Sequence, residues 1–283
     1  MPLTVKLLDV NLFAVLSLVA GLALLSAPHA LLAQGPYARP HTDTLRYREV
    51  TNAEIRITSP QGEIIVTSEQ DSQIAITFGG LDSARAWYES LMLATTSPQG
   101  TQTPSTDSLL RQPFHLAFTA RGAVTLRKAP VMPKPVAAVT DLRHQFDDFF
   151  ARLPAGALTV GRTWRDTSTV GDSTGATWYR ARTVARYTVK GDTVFNGERA
   201  LVIAMTQELT LTSGGPVPDR PVTTSQQLSG SDAGTVIYSP VLGRMLARQR
   251  VGSLSGAISF TAATGTTTLR QRYGFDSRID LLP

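Results

Sequence analysis

One short motif in the chain has the form of a catalytic site. Gly171 to Gly175 reads G-D-S-T-G, which matches the G-x-S-x-G pattern that presents a nucleophilic serine between a strand and a helix. Such a serine needs a histidine to accept its proton, and in proteins with this pattern the histidine follows the serine in sequence. All four histidines precede Ser173: His29, His41, His115 and His144. Because the flanks also read as strands, we interpret the motif as a β-turn of small polar residues and predict no catalytic residue.

A second arrangement has the spacing of a metal site. His144 and Asp148 are four residues apart, which places them on one face of a helix, and Asp147 is adjacent. No further group of histidines or carboxylates lies nearby in sequence to complete a set of ligands. Asp148 can instead pair with Arg152 one turn further on, which is typical of a solvated helix surface. The sequence therefore predicts no metal site and no cofactor.

Three pairs of arginines have the i, i+2 spacing that places both side chains on one side of a strand. If the strands are neighbours in the sheet, the pairs form a basic stripe that can hold phosphate or carboxylate through forked hydrogen bonds. The outer polar face of a half-buried sheet would explain the same spacing. The residues predicted to contact an anionic surface are Arg180, Arg182, Arg248, Arg250, Arg270 and Arg272.

The overall composition also favours an anionic partner. The chain has 27 basic residues, 22 acidic residues and a formal charge of +5, and net positive charge raises the rate of encounter with polyanions such as lipid headgroups or lipopolysaccharide. No nucleic-acid-binding motif occurs, so nucleic acid is not a predicted partner. The absence of cysteine excludes a disulfide scaffold and a lipid-anchored bacterial lipoprotein.

The N-terminal residues 1–33 read as an export signal. They combine Lys6, an apolar run from Val10 to Ala27 and a small residue, Ala33, at the predicted cleavage site. An uncleaved membrane anchor is the alternative, because the apolar run is long. Residues 34–283 are then expected to form one β-rich domain in the periplasm or outside the cell, with no transmembrane span after signal removal.

Two segments have the apolar periodicity of amphipathic helices. The first covers residues 140–153, where Thr140 or Asp141 can cap the start and Pro154 ends the pattern. The second begins at Asp82. The apolar positions are Leu142, Phe146, Phe149, Phe150 and Leu153 in the first helix, and Ala84, Trp87, Tyr88, Leu91 and Met92 in the second.

Most of the remaining sequence alternates between apolar and polar residues, as antiparallel strands do. Residues 95–111 are expected to form a surface linker, and residues 129–136, with three prolines, an extended connection. Several strands approach about 13 residues, or about 43 Å, and sheets of such strands twist and curl. The sequence therefore predicts a mainly β (α+β) fold, a long curved antiparallel sheet or half-barrel with both helices packed on its concave side.

This predicted architecture resembles the half-barrel of periplasmic lipoprotein carriers across most of the mature chain, without a diagnostic motif. The segment Phe149 to Pro154, followed by Val160 to Trp164, is also similar to an element of uncharacterised exported bacterial β-rich envelope proteins, which implies no site. The carrier resemblance implies a non-enzymatic protein that holds a lipid or acyl chain in its hollow. The apolar lining would then be Trp87, Leu91, Phe146, Phe149, Phe150 and Leu153.

A filled hollow would imply a different function. The chain would then be a structural or protein-interaction module of the cell envelope, with an envelope protein as its partner and no ligand. The volume left open on the concave side of the sheet distinguishes these two hypotheses.

Overall fold

A computed structural model describes residues 37, 43–79, 82–174, 177–217 and 220–283. The predicted export signal lies outside the described residues. The strands are β1 Leu45–Ser59, β2 Gly62–Phe78, β3 Ser83–Ser97, β4 Gly100–Gln102, β5 Phe114–Phe118, β6 Val124–Lys128, β7 Thr163–Thr174, β8 Thr177–Phe195, β9 Glu198–Pro216, β10 Val222–Ser239, β11 Arg244–Ala262 and β12 Gly265–Leu281. The described helical segments are α1, Lys134–Ala137, and two 3-10 turns, Asp107–Leu109 and Leu142–His144.

All the strands belong to one sheet, in the order β6-β5-β3-β2-β1-β12-β11-β10-β9-β8-β7, with β4 paired to β3. Every strand pairing is antiparallel, so the predicted curved antiparallel sheet is confirmed. The first and last long strands pair in the middle of the sheet. In the described chain, β6 and β7 form its two edges, although they are consecutive in sequence.

Local turn chemistry explains how the long strands reverse direction. Asn196 and Gly197 connect β8 to β9 with φ angles of 49° and 82°, which is the left-handed pair that a tight hairpin turn requires. A second hairpin, about residues 120–122, joins β5 to β6, since Phe118 of β5 pairs with Val124 of β6.

The hydrophobic core lies on the concave side of the sheet in two clusters. Between them, on the same face, lies a polar belt. The first core cluster includes Tyr47, Ile74, Tyr88, Ile203 and Met245. The second core cluster, toward the other end of the strands, includes Ile55, Val66, Leu211, Leu254 and Tyr273. The polar belt consists of the buried residues Glu49, Gln207, Asp232, Arg248 and Arg250.

Residues 129–162, the crossing segment, connect the two edge strands over the concave side. Its contacts reach both edges: the Leu153 amide donates to the Arg121 carbonyl beside β6 at 3.0 Å, and the Trp164 indole of β7 donates to the Arg152 carbonyl at 2.8 Å. Between these anchors, Phe146, Phe149 and Phe150 are buried in the first core cluster. The crossing segment therefore fills this part of the hollow.

The predicted helix over residues 140–153 is not confirmed. Only Leu142–His144 is helical, and the backbone continues in turns with i to i+3 hydrogen bonds, such as Phe149 N–H to the Phe146 carbonyl at 3.2 Å. The predicted apolar face is nevertheless buried. A regular helix would have left Asp148 in solvent, whereas this backbone turns Asp148 inward to meet Arg250. The Asp148–Arg250 ion pair therefore depends on the departure from the helical pattern.

The predicted helix from Asp82 is likewise not confirmed, since these residues form strand β3. A bulge opposite Gln73 and Ile74 adds one residue to β3. The inward side chains are therefore Ala84, Ala86 and Tyr88 before the bulge and Leu91 and Leu93 after it. A change of phase within a strand imitates the 4-then-3 spacing of a helix, which explains the incorrect prediction.

Two predicted connections also contain more structure than expected. Residues 95–111, predicted as a surface linker, include the end of β3, β4 and a 3-10 turn whose Leu109 is fully buried. The Thr106 hydroxyl bonds the Leu91 carbonyl and holds this region against β3. Residues 129–136, predicted as extended, pass into α1 at Lys134.

Candidate functional site

The concave side, predicted to hold an apolar ligand, is occupied by the protein's own aromatic rings. Phe149 and Phe150 make edge contacts with Tyr47 at centroid distances of 5.3 and 5.9 Å. Phe146 lies 5.0 Å from Phe114. These rings form one packed group with geometry typical of aromatic cores. The three phenylalanines predicted to line a ligand site are therefore part of the core.

The other predicted lining residues are divided between the two faces of the sheet. Leu91 and Leu153 are buried on the concave side in the first core cluster. Trp87 lies between inward-facing Ala86 and Tyr88 and is half-buried on the outer face, opposite Ala75 of β2. The helical model placed Trp87 and Tyr88 on one surface, whereas the strand places them on opposite surfaces.

The polar belt contains a buried ion-pair network that joins the crossing segment to the sheet. Arg250 pairs with Asp148 of the crossing segment and with Asp232 of β10, and it also donates to the Gln207 amide oxygen at 3.0 Å. Arg248 donates to the Asp148 carbonyl and lies 3.8 Å from its carboxylate. A buried ion pair adds little net stability, but losing one partner is costly. The network therefore fixes where the crossing segment lies.

Glu49 is the further carboxylate of the polar belt. It lies opposite Ile279 of β12, which in turn lies opposite Arg248 of β11, and it accepts a hydrogen bond from Gln145 of the crossing segment. Burial raises the pKa of Glu49 to about 7, although Arg248, the Gln145 hydrogen bond and Arg250 oppose the shift. Desolvation disfavours the charged carboxylate, so Glu49 changes protonation state near neutral pH.

A cleft of about 140 Å³ adjoins this network, between the crossing segment and strands β1, β2, β3, β11 and β12. Pockets for drug-sized ligands and cofactors are usually about 300–1,000 Å³. This cleft is therefore too small for an acyl chain or a large cofactor. Its lining includes Glu49, Gln70, Arg250, Tyr273 and Phe275.

The predicted arginine pairs do not form one stripe. Arg248 and Arg250 are only 5% and 7% exposed, so the prediction that they contact an anionic surface is wrong. Arg180 and Arg182 of β8 and Arg270 and Arg272 of β12 are exposed on the outer, convex face. Contact of these four arginines with an anion stays a prediction.

The strand register nevertheless aligns the four exposed arginines. Successive pairings place Arg180 in the same row across the sheet as Arg270, and Arg182 in the same row as Arg272. Three strands separate the pairs, a distance of about 19 Å at about 4.8 Å per strand. The intervening residues are Thr212, Gln227 and Ala257 in one row, and Thr210, Ser229 and Ser255 in the other.

The region around these rows, which we call the arginine face, is basic and lacks neutralising acids. It comprises the outward-facing side chains of residues 177–183, 209–216, 222–231, 252–262 and 265–275, ranges that contain four arginines and no aspartate or glutamate. Among the described residues, none of the four arginines has an acidic partner within 4.0 Å. Some exposed arginines elsewhere are paired, such as Arg48 with Asp71 at 2.6 Å, whereas Arg85, Arg165 and Arg199 are exposed and have no ion pair among the described residues.

Trp178 adds an exposed aromatic ring to the arginine face. Its side chain is 43% exposed, and it lies beside Gly214 of β9, where a Cβ atom would approach the indole Nε1 to 3.0 Å. The arginine face also carries hydroxyl groups on β11 and β12, where Ser259 bonds Thr268 at 2.8 Å. The surface therefore combines cations, hydroxyls and one flat ring.

The structure also locates the two motifs with catalytic or metal-site spacing. Gly171 to Thr174 belong to the edge strand β7 and Ser173 is exposed, while residue 175 lies outside the described residues. His144 bonds Asp147 at 3.0 Å. Burial opposes the charged imidazole, but Asp147 raises the pKa of His144 overall. In the described part of the chain, no group of three or more His, Cys, Asp or Glu residues could hold a metal ion.

Sequence reasoning did not identify Glu49 or Asp232 as members of a site. The signal for Glu49 was present, because it continues the alternation of Leu45 and Tyr47 and so faces inward. Asp148 was assigned to solvent and to Arg152. Arg152 instead lies 3.6 Å from Asp166 of β7.

Comparison with known proteins does not assign the chain to a family. No family model and no curated protein matches it. Among solved structures, Pseudomonas aeruginosa OccK2 (OpdF) matches at 8% identity and a TM-score of 0.23, over 87% of this chain and 100% of that one. The same protein in complex with glucuronate matches with the same identity and coverage and a TM-score of 0.24.

Within the described ranges, no helix has both the length and the apolar character needed to cross a membrane.

Proposed function

We propose that this chain is a non-enzymatic protein of the cell envelope that holds an acidic polysaccharide on its arginine face. The observation that carries the proposal is the alignment of Arg180 with Arg270 and of Arg182 with Arg272, on a surface without acids. Arginine presents forked donors that match carboxylates. The envelope location rests on the predicted export signal.

A linear polymer fits this face better than a membrane does. The sheet is convex on this side, so a flat bilayer would touch it along a line, whereas a chain can follow its curve across the strands. The two arginine pairs are about 19 Å apart, and the surface between them carries hydroxyl and amide groups. Trp178 offers a flat apolar surface for a sugar ring. An acyl chain in the hollow is less well supported, since Phe146, Phe149 and Phe150 occupy it.

The experiment measures binding of polygalacturonate, which has one carboxylate per sugar, by tryptophan fluorescence, in which Trp178 is the exposed reporter and Trp87 and Trp164 are half-buried. The test variant replaces all four arginines of the face with glutamine. The control makes the same change in total charge at exposed arginines that have acidic partners: Arg46, Arg48, Arg127 and Arg278.

The expected result is a loss of affinity of about tenfold or more in the test variant and a small change in the control. Binding of the unmodified protein should also weaken as salt is added, since exposed charges are screened. Neutral dextran should not bind. Equal losses in both variants, or tighter binding to phosphatidylglycerol vesicles than to the polymer, would overturn the proposal.

A further inference from the structure

The cleft beside the polar belt has the composition of a small ligand site. Its apolar walls include Ala53 and Ile55 of β1, Leu93 of β3, and Tyr273 and Phe275 of β12. Polar and charged side chains form the rest of the lining, and such groups fix the orientation of a small ligand. A cavity of about 150 Å³ can hold a benzene ring, so about 140 Å³ suits a molecule of similar size.

Two residues of the cleft lining each carry a buried hydrogen-bond donor that has no acceptor among the described protein atoms. These donors are the Arg250 Nε and the Gln70 amide nitrogen. Arg250 is only 7% exposed, and its two terminal nitrogens are already bonded to Asp148, Asp232 and Gln207. A buried donor without an acceptor is costly. Both atoms therefore favour a ligand that supplies oxygen acceptors.

The charges around the cleft disfavour two further negative charges. Arg248 and Arg250 balance Asp148 and Asp232, and Glu49 is the additional acid of the polar belt. Glu49 and a ligand carboxylate would compete for the same positive surroundings, so both are not expected to be ionised together. With Glu49 protonated, its hydroxyl becomes a third donor toward the cleft.

The other titratable groups near Glu49 do not take its place. His144 and Asp147 are bonded to each other, Tyr88 is a buried phenol whose pKa is raised well above its ordinary value by burial and by Glu49, and Glu69 lies on the exposed rim of the cleft.

We propose that the cleft binds a small monocarboxylate, between butyrate and benzoate in size, together with one proton on Glu49. The ligand oxygens accept hydrogen bonds from the Arg250 Nε and the Gln70 amide, and its apolar part contacts Tyr273 and Phe275. No bond forms or breaks other than the transfer of a solvent proton to the Glu49 carboxylate. This site is separate from the arginine face and does not depend on it.

The test is calorimetric titration with benzoate at about pH 6 and about pH 8, in buffers of different ionisation enthalpy. We expect affinity to fall by about tenfold at the higher pH, because the protonated fraction of Glu49 falls by about that factor. The buffer dependence should show uptake of about one proton at the higher pH. Binding that is independent of pH and takes up no proton would overturn the proposal, as would an absence of benzoate binding.

Two variants test the assigned groups. Glu49→Gln keeps a neutral donor at this position, so benzoate should bind with no pH dependence and no proton uptake. Gln70→Leu removes one donor and should weaken binding by about tenfold, while Gln249→Leu, on the exposed side of β11, should leave it unchanged. Tighter binding of benzylamine than of benzoate would show that the cleft selects cations and would contradict the assignment. Polygalacturonate binding by Gln70→Leu should be unchanged, which separates this site from the arginine face.

Discussion

Two neighbouring strands contain nearly the same five-residue sequence, and its arginines face opposite sides of the sheet in the two strands. Residues 248–252 of β11 read Arg-Gln-Arg-Val-Gly, and residues 270–274 of β12 read Arg-Gln-Arg-Tyr-Gly. In β11 both arginines are buried in the polar belt and Gln249 is exposed. In β12 both arginines are exposed and Gln271 is 1% exposed. One pattern therefore supplies both the ion-pair network and half of the arginine face.

The more distant apolar residues of each strand decide which way the pattern faces. In β11, Leu254, Ile258 and Phe260 share the parity of Arg248 and all are buried in the second core cluster. In β12, Leu269 and Tyr273 belong to that cluster and have the opposite parity to Arg270. Side chains alternate strictly along a strand, so burial of the apolar set forces the arginines of β11 inward. Asp148 and Asp232 then neutralise the charges of the buried arginines.

The largest expected effect comes from replacing the second arginine of the β11 pattern. The same change in the β12 pattern is its matched control. Arg250→Gln leaves Asp148 and Asp232 buried without their shared cation, and we expect the free energy of unfolding to fall by about 3–5 kcal/mol. Arg272→Gln, at the matched position on the outer face, should change it by less than about 0.5 kcal/mol. Urea unfolding followed by circular dichroism measures both.

Similar small losses in the two variants would contradict this difference. They would mean that the ion pairs of the polar belt contribute as little as exposed pairs do. Failure of Arg250→Gln to fold, with Arg272→Gln intact, would agree with the expectation in direction and would place the loss at the upper end of the range.

Period-two alternation was sufficient to predict the antiparallel sheet, because most strands bury one face continuously. The same alternation also predicts that Glu49 faces inward, because it shares the parity of Leu45 and Tyr47. It could not reveal the bulge in β3, since one added residue makes the strand pattern resemble a helix. Nor could it place Asp148, whose partner Arg250 is 102 residues away in sequence. Pairings of that separation depend on the register of strands that the local pattern does not specify.

The next largest effect concerns Glu49 of the polar belt and the pH dependence of the free energy of unfolding. The pKa of Glu49 is about 7 in the folded chain against an ordinary value of 4.5, so the folded state binds more protons than the unfolded state between these values. The free energy of unfolding therefore falls as pH rises through that window, by about 3 kcal/mol in total. Glu49→Gln should remove this loss, so that the variant gains about 3 kcal/mol relative to the unmodified protein between about pH 4 and about pH 8.

Urea unfolding at a series of pH values measures the difference between the two proteins, in which contributions from other groups cancel. Glu198→Gln, at an exposed position of β9, is the matched control and should give a curve parallel to that of the unmodified protein. A constant difference between Glu49→Gln and the unmodified protein across the window would mean that burial does not hold Glu49 in its neutral form.

The smallest effect separates the glycines that end the two patterns. A Cβ atom on Gly252 would lie 2.5 Å from the Asp232 Cβ and 2.8 Å from the Phe275 ring, whereas nothing lies closer than 4.0 Å to one on Gly274. Gly252→Ala must therefore displace Asp232 from Arg250 or move the ring, and overpacking of this kind costs about 1–3 kcal/mol. Gly274→Ala meets open space and restricts the unfolded chain, so it should be neutral or stabilising by up to about 1 kcal/mol. Thermal unfolding of the pair gives the sign directly. If Gly252→Ala were tolerated as well as Gly274→Ala, the inner face would contain free space beside Asp232. Close packing would then not explain the glycine two residues after Arg250.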